Sequence, residues 1–468
     1  MPFTIEIGGQ PFIETIMGWI AQGPFVFALN IFINGGWIFV VFLVIYGGYL
    51  GWLDNRQGKF IQSWNRIFLA IDVPKLNEQT PKAVEQMLAH LAGAYKTPIK
   101  KETHWEGFVQ PWFTLELVSI EGYIQYIISA PEKYRDLVES AVYSQYPDAE
   151  ITQVEDYTKG FEIKTFFQTH DLWGTEVSLK NDQAYPIRTY PQFEHVLSGE
   201  FLDPLGPLME IIGRMGRGEQ LWLQICVKPI NEKWIEKSEA LVRKLIGAKK
   251  SGGGSGIFGG IFKELQGLFQ EMLNQIGAGP GGTAAKKEGS DMPSLMQHLS
   301  PGEKAAVEAI QLKASKIGFQ TKIRMMYLAH KEVMNKAKGV EGFMGAMRPF
   351  QSLDLNSFKV EKYTRTTANY IFTKPRLRSR QIKLLRAYKS RSMWLGGGFF
   401  VLNIEELATL YHFPTPSVKA PLLKRTEAKR AEPPFGIPIT DIEEIPTKVT
   451  AKPAEAKEIP PSEIPIVD

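Results

Sequence analysis

A single cysteine, Cys226, stands in 468 residues. That excludes an intrachain disulfide framework and any zinc site built on several thiolates, and it suits a reducing compartment. The seven histidines, at positions 90, 104, 170, 195, 298, 330 and 412, never fall in HxxxH or HExxH spacing, so no metal site is predicted. There is no GxSxG elbow, and Cys226, without a matched histidine pattern, reads as core packing on a strand. Two glycine-rich stretches, SGGGSGIFGG and GAGPGGTAAKK, lack the GxxxxGK[ST] pattern in which backbone amides cradle phosphates while a lysine and a hydroxyl serve phosphate and magnesium. They read as linkers. The carboxylate pair Glu443–Glu444 lies in a proline-rich tail that cannot hold acid–base geometry. A non-enzymatic chain without a cofactor is therefore expected, and an enzyme of unfamiliar mechanism is the outlying alternative.

Charge is missing over another long stretch: residues 15–53 contain no Asp, Glu, Lys, Arg or His. Within it, residues 36–53 (GWIFVVFLVIYGGYLGWL) are apolar or aromatic throughout, and 25–33 extend the run upstream. About 20 apolar residues at ~1.5 Å each cross the hydrocarbon of a bilayer. Trp37 at one end, with Tyr49 and Trp52 near the other, suits interfacial anchors. A membrane anchor is assigned to residues 1–55. No basic residue precedes the run and no small-residue cleavage pattern follows it, so a removed signal peptide fits poorly. Glu6 and Glu14 precede the span, whereas Arg56, Lys59 and Arg66 follow it. The positive-inside rule then predicts a single-pass protein of the inner (cytoplasmic) membrane with its bulk in the cytoplasm. Residues 11–23 (PFIETIMGWIAQG) read as an interfacial or a re-entrant helix.

Composition over the whole chain is ordinary for folded protein, 22% charged and 44% hydrophobic, and the net charge of +4 says little about partners. Residues 66–73 (RIFLAIDV) read as a strand. Thr80 and Pro81 read as a helix start, a hydroxyl cap followed by proline, and Val84, Met87, Leu88, Leu91 and Tyr95 share one helical face. Residues 112–118 alternate, a turn at 119–122 leads back into 123–129, and Pro131 opens a helix with the stripe Tyr134, Leu137, Val138, Ala141 and Val142. Residues 149–154 close with a strand. The order βαββαβ over 60–156 is that of a ferredoxin-like, split βαβ domain, which covers one sheet face with two helices and leaves the other available. A strand–turn–helix phrase recurs at 123–146, 221–246 and 321–347. It predicts a second such domain in two parts, 161–248 and 301–414, related to the first by duplication or convergence, with chance likeness among α/β units standing beside both. The fold class is thus α+β: an N-terminal transmembrane helix, then two ferredoxin-like domains.

Residues 249–300 interrupt the second domain. Between the glycine-rich linkers, Ile261, Phe262, Leu265, Leu268, Phe269, Met272, Leu273 and Ile276 mark an amphipathic helix. Its apolar face, with Leu265, Phe269 and Met272 as docking candidates, must meet protein or bilayer. Because Lys263, Glu264 and Glu271 make no basic cluster, protein is preferred. Residues 415–468 read as a disordered, proline-rich tail. Residues 362–391 (KYTRTTANYIFTKPRLRSRQIKLLRAYKSR) contain ten Lys or Arg and no acid. A helix over 376–391, with Ile382, Leu384 and Leu385 partly inward, would carry Arg376, Arg378, Arg380, Lys383, Arg386, Lys389 and Arg391. Three partners suit that density: nucleic-acid phosphate through counterion release, anionic inner-leaflet lipid, or an acidic protein surface.

Residues 114–151 (TLELVSIEGYIQYIISAPEKYRDLVESAVYSQYPDAEI) and 400–434 (FVLNIEELATLYHFPTPSVKAPLLKRTEAKRAEPP) resemble the N-terminal, non-motor region of membrane-anchored type IV secretion and conjugation ATPases, as in candidate-phyla bacteria. In that family an ELAxLYHFP-like segment, here 406–414, precedes the motor and its Walker motif. The remainder of this chain, IPITDIEEIPTKVTAKPAEAKEIPPSEIPIVD, carries no such motif. The resemblance implies the anchoring and assembly module of a DNA- or protein-translocating machine, a homo-oligomer served by a translocation ATPase in trans. It transfers no catalytic residue. The second reading is a membrane-tethered protein that binds DNA through residues 362–391.

Overall fold

The computed structural model describes residues 6–7, 10–11, 18–74, 77, 79–194, 201–246 and 299–415. The insertion helix with Leu265, Phe269 and Met272, its glycine-rich flanks, the tail after Thr415 and residues 12–17 of the stretch 11–23 lie outside the described residues. The architecture is mixed α+β, with one long apolar helix near the N-terminus and a nine-stranded sheet, antiparallel at each pairing among the described residues.

Helix α1 (Pro24–Ile31) and a π turn (Phe32–Gly36) lead into α2 (Trp37–Gln62). Its apolar and aromatic side chains point to every side, and no residue of α2 is buried by the rest of the protein. It is long and apolar enough to cross a membrane.

The first half then runs β1 (Arg66–Asp72), α3 (Pro81–Ala92), β2 (Phe113–Ile120), β3 (Tyr123–Pro131), α4 (Arg135–Tyr143) and β4 (Glu150–Val154). Pro81 opens α3 as expected, but Thr80 makes no side-chain cap; its extended backbone alone turns the chain into the helix. Val84, Met87, Leu88 and Leu91 are fully buried beneath it, whereas Tyr95 falls beyond the helix end. The β2–β3 turn is the two residues Glu121 and Gly122, both left-handed, as hairpin twist requires. Pro131 ends β3 instead of opening the helix, and a 3-10 turn (Glu132–Tyr134) intervenes.

The second half contains α5 (Ile163–Thr169), β5 (His170–Leu179), α6 (Gly206–Gly213), β6 (Glu219–Pro229), α7 (Lys233–Leu245), α8 (Pro301–Ala314), β7 (Gly318–His330), α9 (Gly342–Ala346), β8 (Phe358–Val360), α10 (Thr373–Lys389), β9 (Phe400–Asn403) and α11 (Ile404–Leu410). The helix expected after β7 is short, five residues behind a π turn.

The sheet order is β8-β5-β7-β6-β2-β3-β1-β4, with β9 extending the β5 edge of β7. Counted outward from the β2–β6 seam, each half has its second, third, first and fourth strand in turn. Where the first half has a two-residue turn, the second carries α7, residues 247–298 and α8. The seam pairs Phe113 with Val227 through Ile120 with Gln220, so the strands expected in two domains form one sheet.

One face of the sheet holds the main core, roofed by α3, α4, α6 and α11. The other, expected to be open, is covered: Phe166, Phe167, Leu384, Leu385 and Tyr388 pack on Phe68, Val118, Ile127, Trp222, Met326 and Leu328. Burying residues such as Leu384 and Leu385 contributes about 1.5–3 kcal/mol each. Gly174 on β5 allows the approach of α10, because a Cβ there would lie 2.7 Å from Leu384 Cδ2 and 2.8 Å from the Met325 carbonyl oxygen. The basic helix is therefore part of the core on its inner side.

Candidate functional site

Under α10 a line of polar residues crosses the apolar sheet. Glu176 on β5, Arg324 on β7, Gln224 on β6 and Glu116 on β2 are successive cross-strand partners, and all are buried. Strand geometry sends side chains of this register to the α10 face. Arg324 donates from Nε to Glu176 Oε1 at 2.9 Å and from Nη1 to Gln224 Oε1 at 3.1 Å. Gln224 Nε2 donates to Glu116 Oε1 at 2.9 Å. Arg391, just past the end of α10, closes the row with Nε 3.1 Å from Glu116 Oε1 and Nη1 2.6 Å from Asp156. Tyr157 donates to Glu116 at 2.8 Å and meets the Tyr388 hydroxyl at 2.7 Å. Backbone carbonyls of Ser392 and Leu395 accept from Arg324 Nη2, at 2.5 and 2.8 Å. Gly397 N–H donates to Glu176.

A buried charge is costly unless it is paired and hydrogen-bonded, and each of these is. Burial opposes the charge on Arg391, yet Glu116 and Asp156 hold its pKa well above the ordinary value. Burial likewise pushes Asp156 upward, but Arg391 and Thr158 bring its carboxyl below the usual range. Lys322, whose Nζ donates to the Leu395 carbonyl at 3.0 Å, is pulled by burial down to about 8. Cys226 lies in the same layer on β6, buried and free, its thiol pushed up chiefly by burial. The network thus pins the end of α10 and residues 390–397 to the junction of the two halves. Its signal in the sequence was charge inside an otherwise apolar strand, one residue in TLELVSI and two, Lys322 and Arg324, in TKIRMMY.

The seven cations expected on α10 divide by what holds them. Arg391 is a correction: it is buried on carboxylates and presents no charge to a ligand. Lys389 Nζ donates to the Phe161 carbonyl at 2.7 Å. Arg376 reaches the carbonyls of Asn369 and Ile371, both at 3.2 Å, and Arg378 lies 3.8 Å over the Phe167 ring. Arg380 donates to the Thr367 carbonyl. Lys383 and Arg386 are exposed, and their side chains make no hydrogen bond or ion pair among the described residues. Arg380, Lys383 and Arg386 line one cleft of about 450 Å³ with Tyr363, Thr364, Leu395 and Gly396. Such a cleft presents one oriented guanidinium and two uncommitted cations to an anion.

The long apolar helix α2 joins this region. Trp64, just past α2, packs edge-on against Trp112 at 4.6 Å, and Trp112 against Trp394 at 5.2 Å. Trp112 Nε1 donates to the Arg391 carbonyl at 2.8 Å. Of the expected interfacial residues, Trp37 is exposed, Tyr49 bonds His104 and Trp52 meets Trp105.

No curated protein matches the chain. A family profile described as "Domain of unknown function (DUF8128)" matches residues 69–422, which takes in the whole sheet from within β1 to α11 with both halves of the polar row. The chain belongs to the DUF8128 family.

Proposed function

We propose that this chain is a membrane-anchored, non-catalytic assembly or docking component of a type IV secretion-like or DNA-transfer machine. It is built on two ferredoxin-like halves and held by α2 in the inner membrane with its body in the cytoplasm. The observation that carries this reading is the joint between anchor and fold. A tether that only retains a protein at the membrane needs no packing beyond the bilayer, but here Phe60 packs at a tilt against Phe108 at 5.5 Å and Trp64 edge-on against Trp112. Through Trp112, the Arg391 carbonyl and the polar row, the position of α2 is fixed relative to both halves. A component that orients partners at a membrane requires that rigidity. The strand order of each half supports the ferredoxin-like assignment, Arg56 and Lys59 after the span support the orientation, and the resemblance of residues 114–151 and 400–434 supports the machine. Partners are the bilayer, further copies of the chain and a translocation ATPase in trans. Cross-linking of the full chain in native membranes should capture higher-order species containing a translocation ATPase. Recovery of monomer alone would overturn the assembly role.

The second reading, a membrane-tethered DNA-binding protein, is favoured by one observation, the uncommitted Lys383 and Arg386 beside Arg380. Phosphates are the matching chemistry.

A further inference from the structure

We propose that residues 99–105 form a second membrane contact, seated in the headgroup layer around α2, and that they engage the anionic phospholipid surface of that leaflet. The proposal deepens the reading of α2 as a membrane span and rests on it.

Depth carries the first part. The Tyr49 hydroxyl bonds His104 Nδ1 at 2.5 Å, and the Trp105 ring meets Trp52 edge-on at 5.9 Å. Both helix residues precede Asp54, the first charge after the apolar run. At ~1.5 Å per residue, Tyr49 lies about 7 Å before Asp54 along the helix axis. A segment touching Tyr49 and Trp52 therefore stands beside the last turns of the apolar run, where the headgroup layer, roughly 5–7 Å on each side, begins. The soluble fold does not start beyond the membrane surface but reaches into it.

The segment is also fixed there. Gly107 follows it in the left-handed conformation (φ 72°), and a Cβ at that position would lie 2.6 Å from the Arg56 backbone. Only glycine allows the chain to close on α2 so tightly, and the Phe108 ring then packs at a tilt against Phe60.

Chemistry selects the occupant. Ile99 and Trp105 are 62% and 64% exposed although both are large and apolar. Tryptophan favours the interfacial layer. Between them, exposed Lys100 and Lys101 make no ion pair among the described residues, while Glu102 is taken by Lys96 at 2.6 Å. Glu106, just past the segment, is an exposed carboxylate. Unpaired lysines flanked by apolar side chains, beside the proposed membrane span, match an anionic lipid surface.

The test uses the full chain in lipid nanodiscs of neutral phosphatidylcholine or with phosphatidylglycerol added. An environment-sensitive aromatic label is placed through Trp105→Cys, with Ile45→Cys as the anchor control and Leu353→Cys, 97% exposed, as the water control. Buried Cys226 stays unlabelled. The label at 105 should be shielded from iodide and quenched by a shallow lipid-borne quencher, more so with phosphatidylglycerol. Gly107→Val should release it to water while the label at 45 stays in lipid. Lys100→Glu with Lys101→Glu should abolish the phosphatidylglycerol increment. If 45 is in lipid and 105 is as open to iodide as 353, the seat is overturned and the anchor stands. If 45 is itself in water, the anchor reading fails and takes the seat with it. Shielding at 105 without lipid quenching would assign the surface to protein and overturn the proposal.

Discussion

Arg391, itself buried, faces two carboxylates, the buried Glu116 and the partly exposed Asp156. Its replacement leaves uncompensated negative charge in a medium that solvates it poorly, which costs about 3–5 kcal/mol for a buried pair. Arg391→Met should therefore lower the free energy of urea unfolding of the detergent-solubilised chain by that order. Unchanged stability would mean that water reaches Glu116. The pH dependence has a definite sign. Because Asp156 titrates below its ordinary 3.8 in the folded state, its contribution is complete above that value and is lost as pH falls through the folded pKa. Asp203, held low by His412 against burial, acts in the same direction. The Asp156 share is thus the difference between wild type and Asp156→Asn, which should shrink as pH falls below about 4. An unchanged difference down to pH 2 would refute the pairing. In the sequence, Glu116 is the lone charge of an apolar strand, and Glu176 and Arg324 sit among apolar neighbours in strands whose other charged residues are Asp171 and Lys322, which marks them as buried polar groups. Their partners were not legible, since Glu116 and Gln224 meet across 108 residues and only the β2–β6 register brings them together.

Helix α10 shows how an element divides its residues. The stripe of Leu384 and Leu385 was readable from periodicity, and the helix begins and ends within a turn of its expected bounds. Charge density did not reveal which cations were free, because a guanidinium bound to a backbone carbonyl has the same sequence as one in water. Lys383→Gln with Arg386→Gln should weaken binding to duplex DNA at any sequence and reduce the salt slope by about 1 for each phosphate no longer neutralised, leaving the thermal midpoint unchanged. Intact DNA binding in that variant would remove the cleft from the nucleic-acid reading. Substitution of Gly174, by contrast, acts on packing. Gly174→Val drives methyls into Leu384 and the Met325 carbonyl, an overpacking expected to cost about 1–3 kcal/mol, seen as a lower urea midpoint.

For the whole molecule, the orientation of α2 sets where all else lies. On the proposed orientation, in which Arg56 and Lys59 stay on the cytoplasmic side, a reporter that is active only outside the membrane should be silent when fused beyond Lys59; activity there would overturn that orientation. The purified chain should not hydrolyse ATP, since its glycine-rich stretches lack the lysine and hydroxyl of a phosphate loop; turnover without a partner would refute this. The long apolar helix α2, the βαββαβ order and the buried stripes of α3 and α4 follow from the sequence by itself. Each depends on an apolar run or a period of two or 3.6, and burial of one face is decided within the element. Tertiary structure alone decided that both halves share one sheet, that α10 closes its second face, that Arg391 is spent on Glu116 and Asp156, and that Gly107 brings residues 99–105 against α2. These depend on register and close approach between segments far apart in the chain. A local hydrophobic period specifies which face is buried but carries no information about which distant surface buries it.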